Sequence, residues 1–119
     1  MDGFNTKFIK IVEDIKNGEV LTTELDKYVK DNSDKNIFSK AIKSLMENKD
    51  EYIKILSSRY SYDYNIDKKK SYFNSRLILR TSKDVNCRLE AKYIYDRYRK
   101  RHLTKIANIF KLKKSKSTN

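Results

Sequence analysis

From Asp84 to about Leu112 the sequence keeps one stripe in register with a helical turn. Cys87, Ala91, Ile94, Tyr98, His102, Lys105 and Ile109 succeed one another at spacings of three or four. Leu89, Tyr93, Tyr95, Leu103, Ile106 and Phe110 widen the same stripe. An α-helix brings residues at those intervals to one side, and a strand would scatter them over two. The chain has no proline, and its two glycines, Gly3 and Gly18, lie far upstream. Nothing in the stretch therefore interrupts a helix. A 119-residue chain that commits so much of itself to one helix has room for a single small domain around it.

The remaining sequence reads as shorter helices. Phe4, Phe8, Ile11, Val12 and Ile15 predict an amphipathic helix over residues 4–16, ended at Asn17-Gly18, where glycine accepts a left-handed backbone. Thr23 with Asp26 marks a second start, and Leu25, Tyr28 and Val29 follow it. Asn32-Ser33-Asp34 breaks the pattern and offers a new N-cap. Phe38, Ala41, Ile42, Leu45 and Met46 make the most regular stripe of the first half, and Tyr52, Ile53, Ile55 and Leu56 continue it. Asn48-Lys49-Asp50 between them is either a short turn or a bend in one helix. Residues 57–70 are polar and Tyr-rich and end in Lys68-Lys69-Lys70, which predicts a surface loop. Leu77-Ile78-Leu79 is too short to separate helix from strand. Asp84/Arg88 and Asp96/Lys100 have the spacing and order of favourable helical ion pairs. Lys113 to Asn119 lacks an apolar anchor and is expected to fray. The expected fold is all-α, one bundle of five or six helices over residues 1–112 with a long basic amphipathic C-terminal helix and a frayed basic tail at 113–119.

Charge is strongly polarised. Residues 1–67 hold 11 Lys/Arg against 13 Asp/Glu, and residues 68–119 hold 17 against 3, so a net of −2 faces a net of +14. Such a chain suggests an anionic partner, nucleic acid or an acidic protein surface. No apolar run approaches the ~20 residues that span a bilayer, and the N-terminus lacks the apolar core of a signal peptide. The reading is an intracellular protein with no membrane partner, cytoplasmic or nucleoid-associated in a prokaryote or virus and nuclear in a eukaryote.

Several chemistries are excluded. Cys87 is the only cysteine, so there is no internal disulfide and no Cys-rich zinc site. His102 is the only histidine, and two glycines cannot build a phosphate-binding Gly-rich loop. Glu13-Asp14 and Asp50-Glu51 are adjacent pairs that point to different sides of a helix. The sequence offers no catalytic residue, no cofactor and no metal ligand set, and it reads as a non-enzymatic protein.

What remains is the run from Tyr93 to Lys105. Arg97, Arg101 and Lys105 recur every four residues as a cationic ridge, with Arg99 and Lys100 beside it and Tyr93, Tyr95 and Tyr98 interleaved. Such a face suits nucleic acid, through charge on phosphates and rings on bases. It equally suits a protein interface, where Arg and Tyr are enriched. It also suits internal packing, with arginine stems lying over the core.

The same residues carry a resemblance. The stretch Leu89 to Phe110, LEAKYIYDRYRKRHLTKIANIF, resembles the last long helix of the helical domain in GINS-family replication factors, the archaeal members especially. That helix has an aromatic or apolar run, then a basic cluster, then a Lys-Ile pair. Tyr98, Arg99, Lys100, Leu103, Lys105 and Ile106 stand where the pattern wants them. Asp50 to Leu56 is loosely similar to the family's acidic-aromatic helix. Members usually carry a small β-rich domain as well, and nothing after Phe110 has the pattern for one. The resemblance implies a helical subunit without catalytic activity that assembles with sister GINS-like subunits. The complex they form bridges the replicative helicase and a RecJ-like partner at the fork. It implies a protein interface formed by Tyr93, Tyr95, Tyr98, His102, Leu103, Ile106 and Phe110. The alternative reading is a small DNA- or RNA-binding protein of viral or plasmid regulator type that uses Arg97, Arg99, Lys100, Arg101 and Lys105.

Overall fold

Phe4, Phe8 and Val12 recur at one-turn spacing, and they become the buried side of the first helix. The structure, a computed structural model, describes the backbone of residues 2–117 and the side chains of residues 3–109. Among the described residues there are six helices and no strand: α1 (Asp2–Lys16), α2 (Thr22–Asn32), α3 (Phe38–Leu45), α4 (Glu51–Asp63), α5 (Lys68–Thr81) and α6 (Val85–Ser117). The protein is an all-α bundle. Helix α4 lies at its centre, with α1 and α3 on one side and α5 and α6 on the other.

The turn after α1 forms as its glycine requires. Gly18 has φ +73, and the Gly18 and Glu19 amides donate to the carbonyls of Ile15 and Asp14 at 3.0 and 2.8 Å. The next two starts differ from expectation. α2 begins at Thr22 behind Leu21, and α3 begins at Phe38 behind Ile37, neither with a side-chain cap. Thr23 therefore lies inside α2, and Asp34 lies in the tight turns that precede α3. Tertiary packing decides the second case. The Phe38 ring meets Phe4 and Tyr64 edge-on at 5.9 and 5.4 Å, which draws the helix start towards the core.

Asn48-Lys49-Asp50 is a turn, and Asp50 caps α4 by accepting from the Tyr52 and Ile53 amides at 2.9 and 3.0 Å. Its carboxylate also accepts from the Lys16 ammonium. Burial disfavours the Asp50 charge, yet the bonds from Lys16, Ile53 and Tyr52 outweigh it and hold the carboxyl below its ordinary value of 3.8. A group depressed in the fold stabilises it above the unfolded pKa and ceases to do so as pH falls through the folded value. Stability is therefore expected to decline below about pH 4, partly through this group. In thermal melts from about pH 6 to pH 2, Asp50→Asn should flatten that decline, and Asp50→Ala should cost about 1 kcal/mol near neutrality by loss of the cap.

The largest departure lies at residues 57–70, where the sequence predicts a surface loop. α4 continues to Asp63 and α5 begins at Lys68, so only a short turn around Asn65 separates them. The polar residues face inward: Ser57, Ser58, Ser61, Ser71, Asn74 and Ser75 are all buried. They occupy helical positions that an apolar stripe would normally fill. Each is satisfied internally. Ser57 and Ser58 donate back to the Ile53 and Lys54 carbonyls at 2.7 Å, and Ser71 and Ser75 donate to the Asp67 and Tyr72 carbonyls. Asn74 Nδ2 donates to Ser58 Oγ at 2.9 Å and to the Met46 carbonyl at 3.2 Å. Small hydrogen-bonded side chains let α4 and α5 approach closely without orphaned polar groups. Leu77-Ile78-Leu79 belongs to the last turns of α5, with Ile78 buried.

α5 and α6 are joined by three residues, Ser82 to Asp84, so they run antiparallel against one another. Asp84 caps α6 by accepting from the Cys87 amide at 2.9 Å. It does not pair with Arg88, which instead donates to the Leu79 and Ser82 carbonyls. No ion pair joins Asp96 to Lys100 among the described residues. Length then shapes the molecule. α5 has 14 residues, about 21 Å, and α6 has 33, about 50 Å. α6 must therefore overrun the bundle. The radius of gyration is 17.2 Å, against about 13 to 14 Å for a compact chain of this length. The helix extends to Ser117, past the boundary expected near Leu112. The side chains of the expected frayed tail lie outside the described residues.

Candidate functional site: the overhanging half of α6

The first half of α6 is held firmly. Cys87, Ala91 and Ile94 are buried in the core. Beside them Arg59 of α4 donates to both Glu90 carboxylate oxygens at 3.1 and 2.9 Å and to Asp26 of α2 at 2.7 Å. The Tyr60 hydroxyl also donates to Asp26. Burial and this bond to Asp26 push the Tyr60 phenol well above its ordinary pKa, so it stays a donor. The cluster ties α2, α4 and α6 together and sets the direction in which the rest of α6 leaves the body. Burial, reinforced by Asp84, also pushes the Cys87 thiol up to about 12. It remains protonated at neutral pH, which is the chemistry of a core residue and not of a nucleophile.

The three tyrosines expected at an interface mark the edge of the bundle. All are half-buried. Tyr93 donates to Asp63 at 3.0 Å and lies 3.6 Å beneath the Arg97 guanidinium. Tyr95 and Tyr98 stack on Tyr72 of α5 at 5.6 and 4.3 Å. Arg99 donates to the Tyr95 hydroxyl at 2.7 Å. These rings are engaged within the chain, although their edges remain accessible.

Beyond Tyr98 the body ends. Every residue from Arg99 to Ile109 is exposed. Leu103, Ile106 and Ile109 project outward, with Leu103 56% and Ile109 53% accessible, while His102 borders a cleft shared with the start of α5. The side chain of Phe110 lies outside the described residues. The ridge residues Arg97, Arg101 and Lys105 follow one another at one-turn intervals along α6, and Arg99 and Lys100 lie beside them. Arg97 covers Tyr93, Arg101 and Lys105 line that cleft, and Arg99 and Lys100 share a shallow surface with Leu103 and Ala107. Across the cleft, of ≈ 290 Å³, Arg101 and Lys105 meet Lys68 and Lys69 of α5. The sequence reading missed those two lysines as site residues because it assigned them to a loop. The signal was the Lys68-Lys69-Lys70 run, and only the antiparallel fold places it beside α6.

The exposed half thus offers charge, rings and aliphatic surface for binding. No group of three potential metal ligands occurs among the described residues, and no helix among them is long and apolar enough to cross a membrane. In architecture the protein belongs to the all-α bundles, with one helix extended past its partners. Compared with known proteins, the chain matches no family model, no curated protein and no solved structure.

Proposed function

We propose that the chain is a non-enzymatic assembly subunit of a GINS-like DNA replication complex, a helical module that helps bridge the helicase and partner proteins at the fork. The observation that carries this reading is the overhang of α6, with Leu103, Ile106 and Ile109 exposed on a helix whose root is fixed by Arg59 and Glu90. Aliphatic side chains clustered on a rigid projecting helix are what a partner subunit covers in a helix-in-groove contact. The likeness of residues 89–110 to the last helix of the GINS helical domain supports the choice of partner, a sister subunit of that complex. The replicative helicase and a RecJ-like protein follow as more distant partners by the same likeness. Such a subunit acts where DNA is copied, in the nucleus of a eukaryote or the nucleoid or cytoplasm of a prokaryote or virus.

The test is the solution state. Expressed alone, the protein should self-associate or be poorly soluble, and it should form a defined hetero-oligomer when co-expressed with its sister subunit. Leu103→Asp with Ile106→Asp should weaken that complex by about a hundredfold, each buried charge costing about tenfold or more. A monodisperse, stable monomer in light scattering at micromolar concentration would overturn the reading.

A further inference from the structure

We propose that the cleft between the start of α5 and the overhanging part of α6 binds the phosphodiester backbone of a nucleic-acid strand. Lys68 and Lys69 form one wall, and Arg101 and Lys105 form the other. The inference stands apart from the assembly reading, since it concerns a different side of α6 from Leu103. Four formal positive charges converge there from two helices. None of the four has an ion-pair partner among the described residues.

The acids nearest in sequence do not line the cleft. Asp63 accepts from Tyr93, and Asp67 accepts from the Lys70 amide as the cap of α5. Asp96 lies with Tyr95 and Lys100 on the other side of the helix. From Arg97 to Asn119 the sequence has no Asp or Glu at all. No Asp or Glu lines the cleft, so its own lining carries four formal positive charges and favours a polyanion.

One wall is also preorganised. The Lys68 ammonium sits 4.7 Å from the Tyr62 ring centroid. The turn behind it is pinned by the Ile66 amide donating to the Ser61 carbonyl at 2.8 Å, and by the Asp67 amide donating to Ser61 Oγ at 2.9 Å. The volume of ≈ 290 Å³ falls just below the roughly 300–1,000 Å³ range of pockets that enclose small ligands. It suits a strand backbone that passes through, with bases outside. Arg101 and Lys105, one helical turn apart, are spaced by about 6 Å, comparable to the interval between successive phosphates of a strand.

The experiment is fluorescence anisotropy of the full chain with a labelled oligothymidylate and with a duplex of equal length. It is run at protein concentrations where light scattering finds no aggregation, and over a range of salt. Binding of either form should fall with salt, with a log–log slope of about −3, as expected for up to four neutralised phosphates. Lys68→Glu with Lys69→Glu, and separately Arg101→Glu with Lys105→Glu, should each weaken binding at least tenfold. The milder pair Lys68→Gln with Lys69→Gln should weaken it and reduce the slope by about one to two units. Arg80→Glu with Lys83→Glu, an equal charge change on exposed residues at the other end of α5, should shift binding less than threefold. Circular dichroism on every variant checks that the helices persist. Three results would each overturn the proposal: no binding at low salt, equal weakening by the Arg80/Lys83 pair, or equally tight capture of polyglutamate. Loss of DNA binding with an intact hetero-oligomer, or the converse, separates this proposal from the assembly reading.

Discussion

Ser61→Leu is expected to destabilise the protein by about 4 kcal/mol, a large share of the roughly 5–15 kcal/mol that holds a domain of this size together. Two effects add. Ser61 is fully buried between α4 and α5, and a leucine there forces apart helices that were close because the residue is small, at a cost of about 1–3 kcal/mol. Its hydroxyl also accepts from the Asp67 amide at 2.9 Å and donates to the Asp67 carbonyl at 3.2 Å. Removing it leaves the Asp67 amide unpaired at the start of α5, at about 1–3 kcal/mol more, while the Asp67 carbonyl keeps the Ser71 amide and hydroxyl. Ser61→Ala removes only the second effect and should lose about half as much. Urea melts with a common slope would give both numbers. A neutral Ser61→Leu would mean that α4 and α5 do not meet at this residue.

Arg59→Ala should cost about 2–4 kcal/mol. Arg59 and Glu90 are each less than one-fifth accessible, and the two bonds between them are supplemented by the bond to Asp26. Removing the guanidinium strands a carboxylate in a poorly solvated place, where a broken pair costs far more than an absent one. Arg59→Met with Glu90→Leu should therefore recover most of the loss, because neither charge then remains. The same loss should be felt functionally. Glu90 adjoins Ala91 and lies one helical turn from Ile94 at the root of α6, so loosening it changes the direction of the overhang. If the double variant is no more stable than Arg59→Ala, the pair does not anchor α6.

How much of this could be read in advance depends on which physical signal each segment carried. α1, α3 and α6 were legible because apolar residues recur at helical spacing and solvent leaves them only one way to be covered. The α1 stop was legible because Gly18 alone tolerates its backbone there. The loop expected at 57–70 failed for the converse reason. Serine is ordinarily a surface or turn residue, and a buried serine stripe resembles a solvated segment until the partner helix that it admits is in place. The starts of α2 and α3 failed because Leu21 and Ile37 offer no capping side chain, and the packing of Phe38 overrode Asp34.

The candidate site divides along the same line. The sequence by itself determined that the fold is helical, that charge gathers after residue 67, and that Leu103, Ile106, Arg101 and Lys105 share a long basic helix. These follow from composition and periodicity, which are local. Only the tertiary structure decided that the helix outruns its partners after Tyr98, that the tyrosines are engaged on Tyr72 and Asp63, and that Lys68 and Lys69 face Arg101 and Lys105. Those facts depend on the relative lengths of α5 and α6 and on their antiparallel register. Residues more than thirty positions apart acquire a common electrostatic field only when packing brings them together.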